Sequence, residues 1–296
     1  MTAREQALSF HCGDDALFGI LSLPVQPAQP APRGVLIVVG GPQYRAGSHR
    51  QFALLARSLA AQGVPVMRFD YRGMGDSEGA PRDFTGADED MRAALDAFQA
   101  AVPGLKEVVL WGLCDAASAT LCYAAQDRRV AGLVLLNPWV RTAEGLARAT
   151  LKHYYRDRLL QGELWRKILR GQFDFGKATR SLLSLASAAR RRPVAQDAQG
   201  AQGIQDAQNT ATPLSLPQRM LAAMQAFTGP VLLILSGKDL TAQEFSEAVS
   251  ASPGWQRQLA AARVRRHTLD AADHTFSRSI WRDQVASWTL DWVRSW

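Results

Sequence analysis

A chain of 296 residues with 47% apolar composition can bury a substantial core as one domain plus an insertion, with two domains as the upper bound. Its net charge of +7 comes without a nucleic-acid recognition motif, which argues against DNA or RNA as partner, and no apolar run approaches the roughly 20 residues that span a bilayer. Three cysteines, odd in number and widely spaced, give neither a disulfide framework nor zinc-ligand spacing; with an N-terminus lacking an apolar h-region, they predict a soluble cytoplasmic protein without a metal.

Taken in order, the chain opens with two strands near residues 5–12 and 16–24, followed by a Pro/Ala/Gln linker to residue 33. Gly34-Val-Leu-Ile-Val-Val39 then reads as a buried strand near 34–40, because a continuous apolar run suits a strand covered on both faces. Amphipathic helices are expected near 49–62, with Gly63 as the stop, and near 86–101. They alternate with strands near 64–70, 107–111 and 130–137, a pattern that gives a mostly parallel sheet covered by helices. After Asn137-Pro138-Trp139 the alternation breaks. Residues 141–227 read as helical with a low-complexity Ala/Gln segment near 194–212, so the expected division is a core of 1–140 and 228–296 with a helical insertion at 141–227. Pro230-Val-Leu-Leu-Ile-Leu-Ser236 and Val264-Arg-Arg-His-Thr-Leu269 resume the strands. In the C-terminal helix, Trp281, Val285, Trp288 and Trp292 stand at helical spacing and form a core stripe rather than a ligand box.

The most informative stretch is Val108-Val-Leu-Trp-Gly-Leu-Cys-Asp-Ala-Ala-Ser-Ala119. A strand runs into a Gly-x-Cys-x-Ala turn and then a small-residue helix, the pattern of a nucleophile elbow with cysteine at its tip. Gly112 and Ala116 hold the small positions. The helix behind Cys114 directs N–H groups and partial positive charge at the sulfur, which favours thiolate. A buried structural cysteine is the plainer alternative. An elbow enzyme also needs an acid and then a histidine after later strands. Asp239, in Gly237-Lys238-Asp239, and His274 fill these roles. Asp270, Asp273 and Glu244 compete for the acid, whereas His11, His49, His153 and His267 suit surface or structural roles. The oxyanion donors are expected to be the N–H of Asp115 and that of Gly41, with Gln43 next; Pro42 has none. Cys122 reads as a packing residue.

Gly40-Gly41-Pro42, Phe69-Asp-Tyr-Arg-Gly-Met-Gly-Asp-Ser77, the elbow, Gly237-x-Asp239 and His274 together resemble the α/β-hydrolase superfamily over nearly the whole chain. That resemblance implies the α/β-hydrolase fold, with the helical insertion at 141–227 as a cap after strand 6, and a structural role for the Asp70–Ser77 turn. More narrowly, Val38-Val-Gly-Gly-Pro-Gln-Tyr-Arg-x-Gly-Ser-His-Arg-Gln-Phe52 with Trp111-Gly-Leu-Cys-Asp-Ala-Ala117 is similar to the exosortase A system-associated hydrolases of type 1. This implies a cytoplasmic bacterial enzyme linked to exosortase sorting and exopolysaccharide production. Cys in place of Ser, and Ala in place of the last elbow Gly, depart from the superfamily majority and are also seen in dienelactone hydrolase-like enzymes.

Residues 141–192 carry thirteen Lys or Arg against four acids. A solvated face is one reading of this excess. An anionic partner is the other: a carrier-bound acyl group, a sugar phosphate or a membrane surface touched peripherally, with Arg190, Arg191, Arg192, Gln43 and Tyr44 as candidate binding residues. The expected chemistry is acyl hydrolysis or acyl transfer from an ester or thioester through Cys114, His274 and Asp239, with no cofactor. The rival from another class is a non-catalytic binding protein that keeps the fold.

Overall fold

The computed structural model describes residues 3–25, 32–41, 43–140 and 214–296. The low-complexity segment, Arg190, Arg191, Arg192, His153 and Pro42 lie outside them. Strands β1 (Ala3–Cys12) and β2 (Asp15–Pro24) form a hairpin, and β2 pairs antiparallel with β4 (Val66–Phe69). All later pairings are parallel: β4 with β3 (Arg33–Val38), β3 with β5 (Glu107–Leu113), then β6 (Val130–Leu136), β7 (Val231–Ser236) and β8 (Val264–Leu269). The eight-stranded order is therefore β1-β2-β4-β3-β5-β6-β7-β8.

Both faces of the central strands are covered, which is why their sequences are apolar runs without polar alternation. On one face Leu36, Val38, Leu110, Leu133 and Leu233 pack with helices α2 (Asp88–Ala101) and α3 (Asp115–Ala124). On the other, Val35, Ile37, Val109, Trp111, Val134 and Ile234 meet α1 (Gln51–Ala61) and the C-terminal helix. The helix α4 (Leu216–Ala226), expected within the insertion, belongs instead with the sheet: it packs on α3 and buries Met220 and Met224 in the core. Helices α5 (Leu240–Ser250) and α6 (Pro253–Leu259) follow β7, and α7 (Ser279–Val293) closes the chain. The tryptophan stripe of α7 faces the core: Val285 and Trp292 are buried, Trp281 and Trp288 pack at its margin, and Trp288 stacks on His267 at 4.2 Å between centroids. Among the described residues no helix is long and apolar enough to cross a membrane.

The order of strands fixes where a site can form. From β3 the chain first adds β4 on one side and later β5 on the other, so the loops leaving β3 and β5 diverge and open a crevice at the carboxyl ends of the sheet. Gly40 and Gly41 follow β3, and Cys114 follows β5. Asp239 and His274 leave the same sheet end after β7 and β8.

Candidate active site

Cys114 sits at the turn between β5 and α3 with φ 63 and ψ −124. A side chain in that region costs on the order of 1–3 kcal/mol and persists only where surroundings impose it. Here the Cys114 N–H donates to Leu136 O at 2.9 Å, while its carbonyl accepts from Ala117 N at 3.1 Å and Trp139 N at 3.2 Å. The turn also needs a close approach of strand and helix. A Cβ on Gly112 would stand 2.6 Å from the Ala116 carbonyl carbon, so only glycine fits there. Ala116 is fully buried against it.

The His274 ring is held by Asp239, with Nδ1 2.9 Å from Oδ2. Asp239 is itself fixed as the N-cap of α5, accepting from Thr241 N at 3.2 Å and Ala242 N at 3.1 Å. Two backbone bonds, Gly237 N to Leu269 O and Lys238 N to Ala272 O, each 2.9 Å, tie the loop carrying Asp239 to the one carrying His274. Hydrogen bonds to Asp239 and to Cys114 push the His274 imidazole up to about 10, against the opposing effect of burial. The competing acids are placed elsewhere. Asp273 accepts from the Ser277 hydroxyl and amide, Asp270 is exposed, and Glu244 lies on α5.

Asn137 is a residue whose role the sequence did not reveal. Its buried amide donates to Ser236 Oγ at 2.9 Å and His274 O at 3.0 Å, and accepts from Ser236 N at 2.9 Å. It thus joins the ends of β6 and β7 to the backbone that carries the imidazole. Asn137→Ala is expected to cost about 1–3 kcal/mol by stranding these buried groups, with further strain because alanine must adopt φ 43. Chemical denaturation measures it; an unchanged stability would mean that these bonds are replaced by water at no cost.

The loop after β3 approaches the elbow closely. Gly41 N donates to Asp115 Oδ2 at 2.8 Å, and Ala116 N donates to Oδ1 at 2.9 Å. Burial raises the pKa of Asp115, while bonds from the Gly41 and Ala116 amides hold it down. Of the two amides expected to receive an oxyanion, that of Gly41 therefore faces this carboxylate. Gln43 lines the cavity and accepts the Ser48 N–H at 3.1 Å, whereas Tyr44 is exposed and does not line it. Arg45 pairs with Asp70 and Asp76, fastening the loop to the Asp70–Ser77 turn. That turn is structural: Ser77 Oγ donates to Asp70 O at 2.9 Å and accepts from Phe18 N at 3.0 Å.

Above these groups lies a cavity of about 340 Å³, with Phe52, Phe84, Leu113 and Trp139 as apolar walls beside Cys114 and His274. That volume and lining suit a small organic ligand. Among the described residues no group of three or more His, Cys, Asp or Glu is arranged to hold a metal.

A parallel sheet with a strained elbow at its switch point, followed by an acid and a histidine on successive strand ends, defines a class of α/β protein built around an elbow site. The chain belongs to the alpha/beta hydrolase family, whose family model matches residues 35–287. It is 33% identical over 94 residues to the polyketide transferase grgF of Penicillium sp, a match covering 29% of this chain and 31% of that one. It is 35% identical over 92 residues to the quorum-quenching protein AidA of Acinetobacter baumannii, covering 28% and 29%. The chain thus spans about three tenths of the length of these curated relatives. In structure it is similar to the esterase Pf2001 of Pyrococcus furiosus, with a TM-score of 0.63 at 14% identity over 99% of this chain and 93% of that one, a likeness of fold.

Proposed function

We propose that the protein is an acyl hydrolase or acyltransferase that works through a thioester formed on Cys114. The observation that carries this reading is that the His274 ring, hydrogen-bonded to Asp239 at 2.9 Å, lines an apolar cavity together with Cys114. His274 takes the proton of Cys114, and the carboxylate of Asp239 stabilises the resulting imidazolium. The thiolate then attacks the acyl carbon of an ester or thioester, the carbonyl π pair moves to oxygen, and the Gly41 and Asp115 amides receive that oxyanion. As the tetrahedral species collapses, the imidazolium returns its proton to the departing alkoxide or thiolate. Water or another acceptor, deprotonated by His274, attacks the acyl-enzyme and releases the Cys114 thiolate. A thioester yields to amines more readily than an oxygen ester does, so transfer belongs to the same mechanism, and similarity to a protein named as a polyketide transferase supports it.

The basic excess of residues 141–192 supports an anionic or carrier-bound acyl donor. Resemblance of the Val38–Phe52 and Trp111–Ala117 motifs to exosortase A system-associated hydrolases supports a setting in exopolysaccharide production and the cytoplasm. The test is intact-protein and peptide mass spectrometry after incubation with a panel of acyl N-acetylcysteamine thioesters. An acyl adduct confined to Cys114 is expected. The other thiols are poor competitors at neutral pH: burial and the adjacent Asp90 push Cys12 up to about 11, and burial raises Cys122. Acylation spread over all three, or none with any donor, would favour a binding protein that retains the fold.

A further inference from the structure

The corner of the site meant for a substrate oxyanion already holds an anion of the chain itself. Asp115 Oδ2 accepts from Gly41 N at 2.8 Å and Oδ1 accepts from Ala116 N at 2.9 Å. Charge-assisted bonds of this kind are roughly twice as strong as neutral ones. A neutral carbonyl oxygen is therefore the weaker ligand for the Gly41 amide. The space for the carboxylate is built into the sequence: a Cβ on Gly40 would stand 2.1 Å from Oδ1. Gly41, at φ 60, has nothing within 4 Å of where its Cβ would be, so the open side of the loop is left to an entering ligand. Asp115 itself lines the cavity with Cys114 and His274.

We propose that the Asp115 carboxylate is an internal occupant of the acyl-oxygen site, which the carbonyl of the acyl donor must displace, so that Asp115 sets how readily a donor acylates Cys114. This inference rests on the thioester reading above. It makes the side chain of Asp115 a restraint on acylation, while its backbone N–H remains a donor to the oxyanion. The opposite role, a brace without which the glycine loop fails to present its N–H, predicts the reverse effect of removing the carboxylate.

An aliphatic trifluoromethyl ketone separates the two. The Cys114 thiolate adds to its carbonyl carbon, a C–S bond forms, and the π pair moves to oxygen, giving a tetrahedral alkoxide that needs the two amides. Iodoacetamide is the control, because displacement of iodide by the same sulfur creates no oxyanion. In Asp115→Ala the inhibition constant of the ketone is expected to fall by about tenfold or more beyond any change in the alkylation rate, a modest part of the 10²–10³-fold that one oxyanion donor commonly contributes. Asp115→Asn keeps an acceptor oxygen and loses the charge, so its affinity should fall between those of wild type and Asp115→Ala; being isosteric, it carries the test if the alanine variant does not fold. Ketone affinity that is unchanged or weaker, relative to alkylation, would overturn the proposal and make Asp115 a brace. Failure of iodoacetamide to modify Cys114 in the wild-type protein would instead overturn the thioester reading on which it rests.

Discussion

Cys114→Ala is expected to lower kcat/KM for any acyl donor by about 10⁴-fold or more, since removing the nucleophile of a covalent enzyme leaves only binding and oxyanion stabilisation. The fold should survive. Cys114 is partly exposed at the margin of the core, so loss of one sulfur opens no large cavity, and alanine at the same strained φ adds little that cysteine did not already bear. Cys114→Ser keeps the hydroxyl analogue in front of the same imidazole and should retain a trace of activity above that of alanine. Steady-state kinetics with an activated ester and a thioester, alongside thermal melts, make the comparison. Turnover at the wild-type rate in the alanine variant would end the covalent mechanism outright.

Asp239→Asn is the second large effect, expected at about 10²- to 10⁴-fold in kcat, the range set by an orienting carboxylate behind a catalytic imidazole. Asparagine is as good an N-cap as aspartate: its one amide oxygen can keep one of the two bonds that Thr241 N and Ala242 N make to separate oxygens of Asp239, so α5 should remain formed at a cost of about 1 kcal/mol for the lost bond. Activity and stability then separate, which a purely structural role for Asp239 would not allow. The pH dependence gives a second signature. His274 is raised from an ordinary 6.5 to about 10, with Asp239 the first cause and Cys114 the next. Because the folded value lies above the unfolded one, the pairing stabilises the fold fully below about 6.5, and that contribution is lost as pH rises towards and through about 10. The imidazolium that protonates the leaving group should likewise persist in wild type until the alkaline limb near 10. In Asp239→Asn that limb should move down towards neutrality. A pH profile of kcat/KM whose alkaline limb does not move would show that the carboxylate does not hold the imidazole's proton.

The neighbourhood of the site divides into what local sequence dictates and what packing selects. The apolar runs of β3, β6 and β7 forecast doubly covered strands, and β5 ran two residues beyond the expected 107–111, to the foot of the elbow at Leu113. Helix α6 escaped the sequence reading, although Ser252 as N-cap followed by Pro253 is a start signal that the structure uses, with Ser252 Oγ accepting from Trp255 N at 3.4 Å. Leu216–Ala226 carries no strand pattern, so local sequence places helix α4 in the insertion. Its place against α3 depends on Met220 and Met224 meeting an apolar groove that no local signal announces.

The sequence by itself determined the alternation of strands and helices and the Gly112-x-Cys114-x-Ala116 turn, with Asp239 and His274 following in that order after later strands, because these follow from side-chain periodicity and from backbone sterics within a few residues. Only the tertiary structure decided which of Asp239, Asp270 and Asp273 meets the His274 ring. All three stand next to strand ends in sequence, but Asp273 is spent on Ser277 and Asp270 points to solvent, while the parallel pairing of β7 with β8 brings Asp239 to the imidazole. The same holds for Asn137, which reaches Ser236 and His274 across two strands. It holds for the Asp115 carboxylate, whose hold on the Gly41 amide spans 74 residues of chain. Contacts between residues so far apart in sequence form only when the sheet closes, so their partners are set by strand order and register, which no single stretch of sequence encodes.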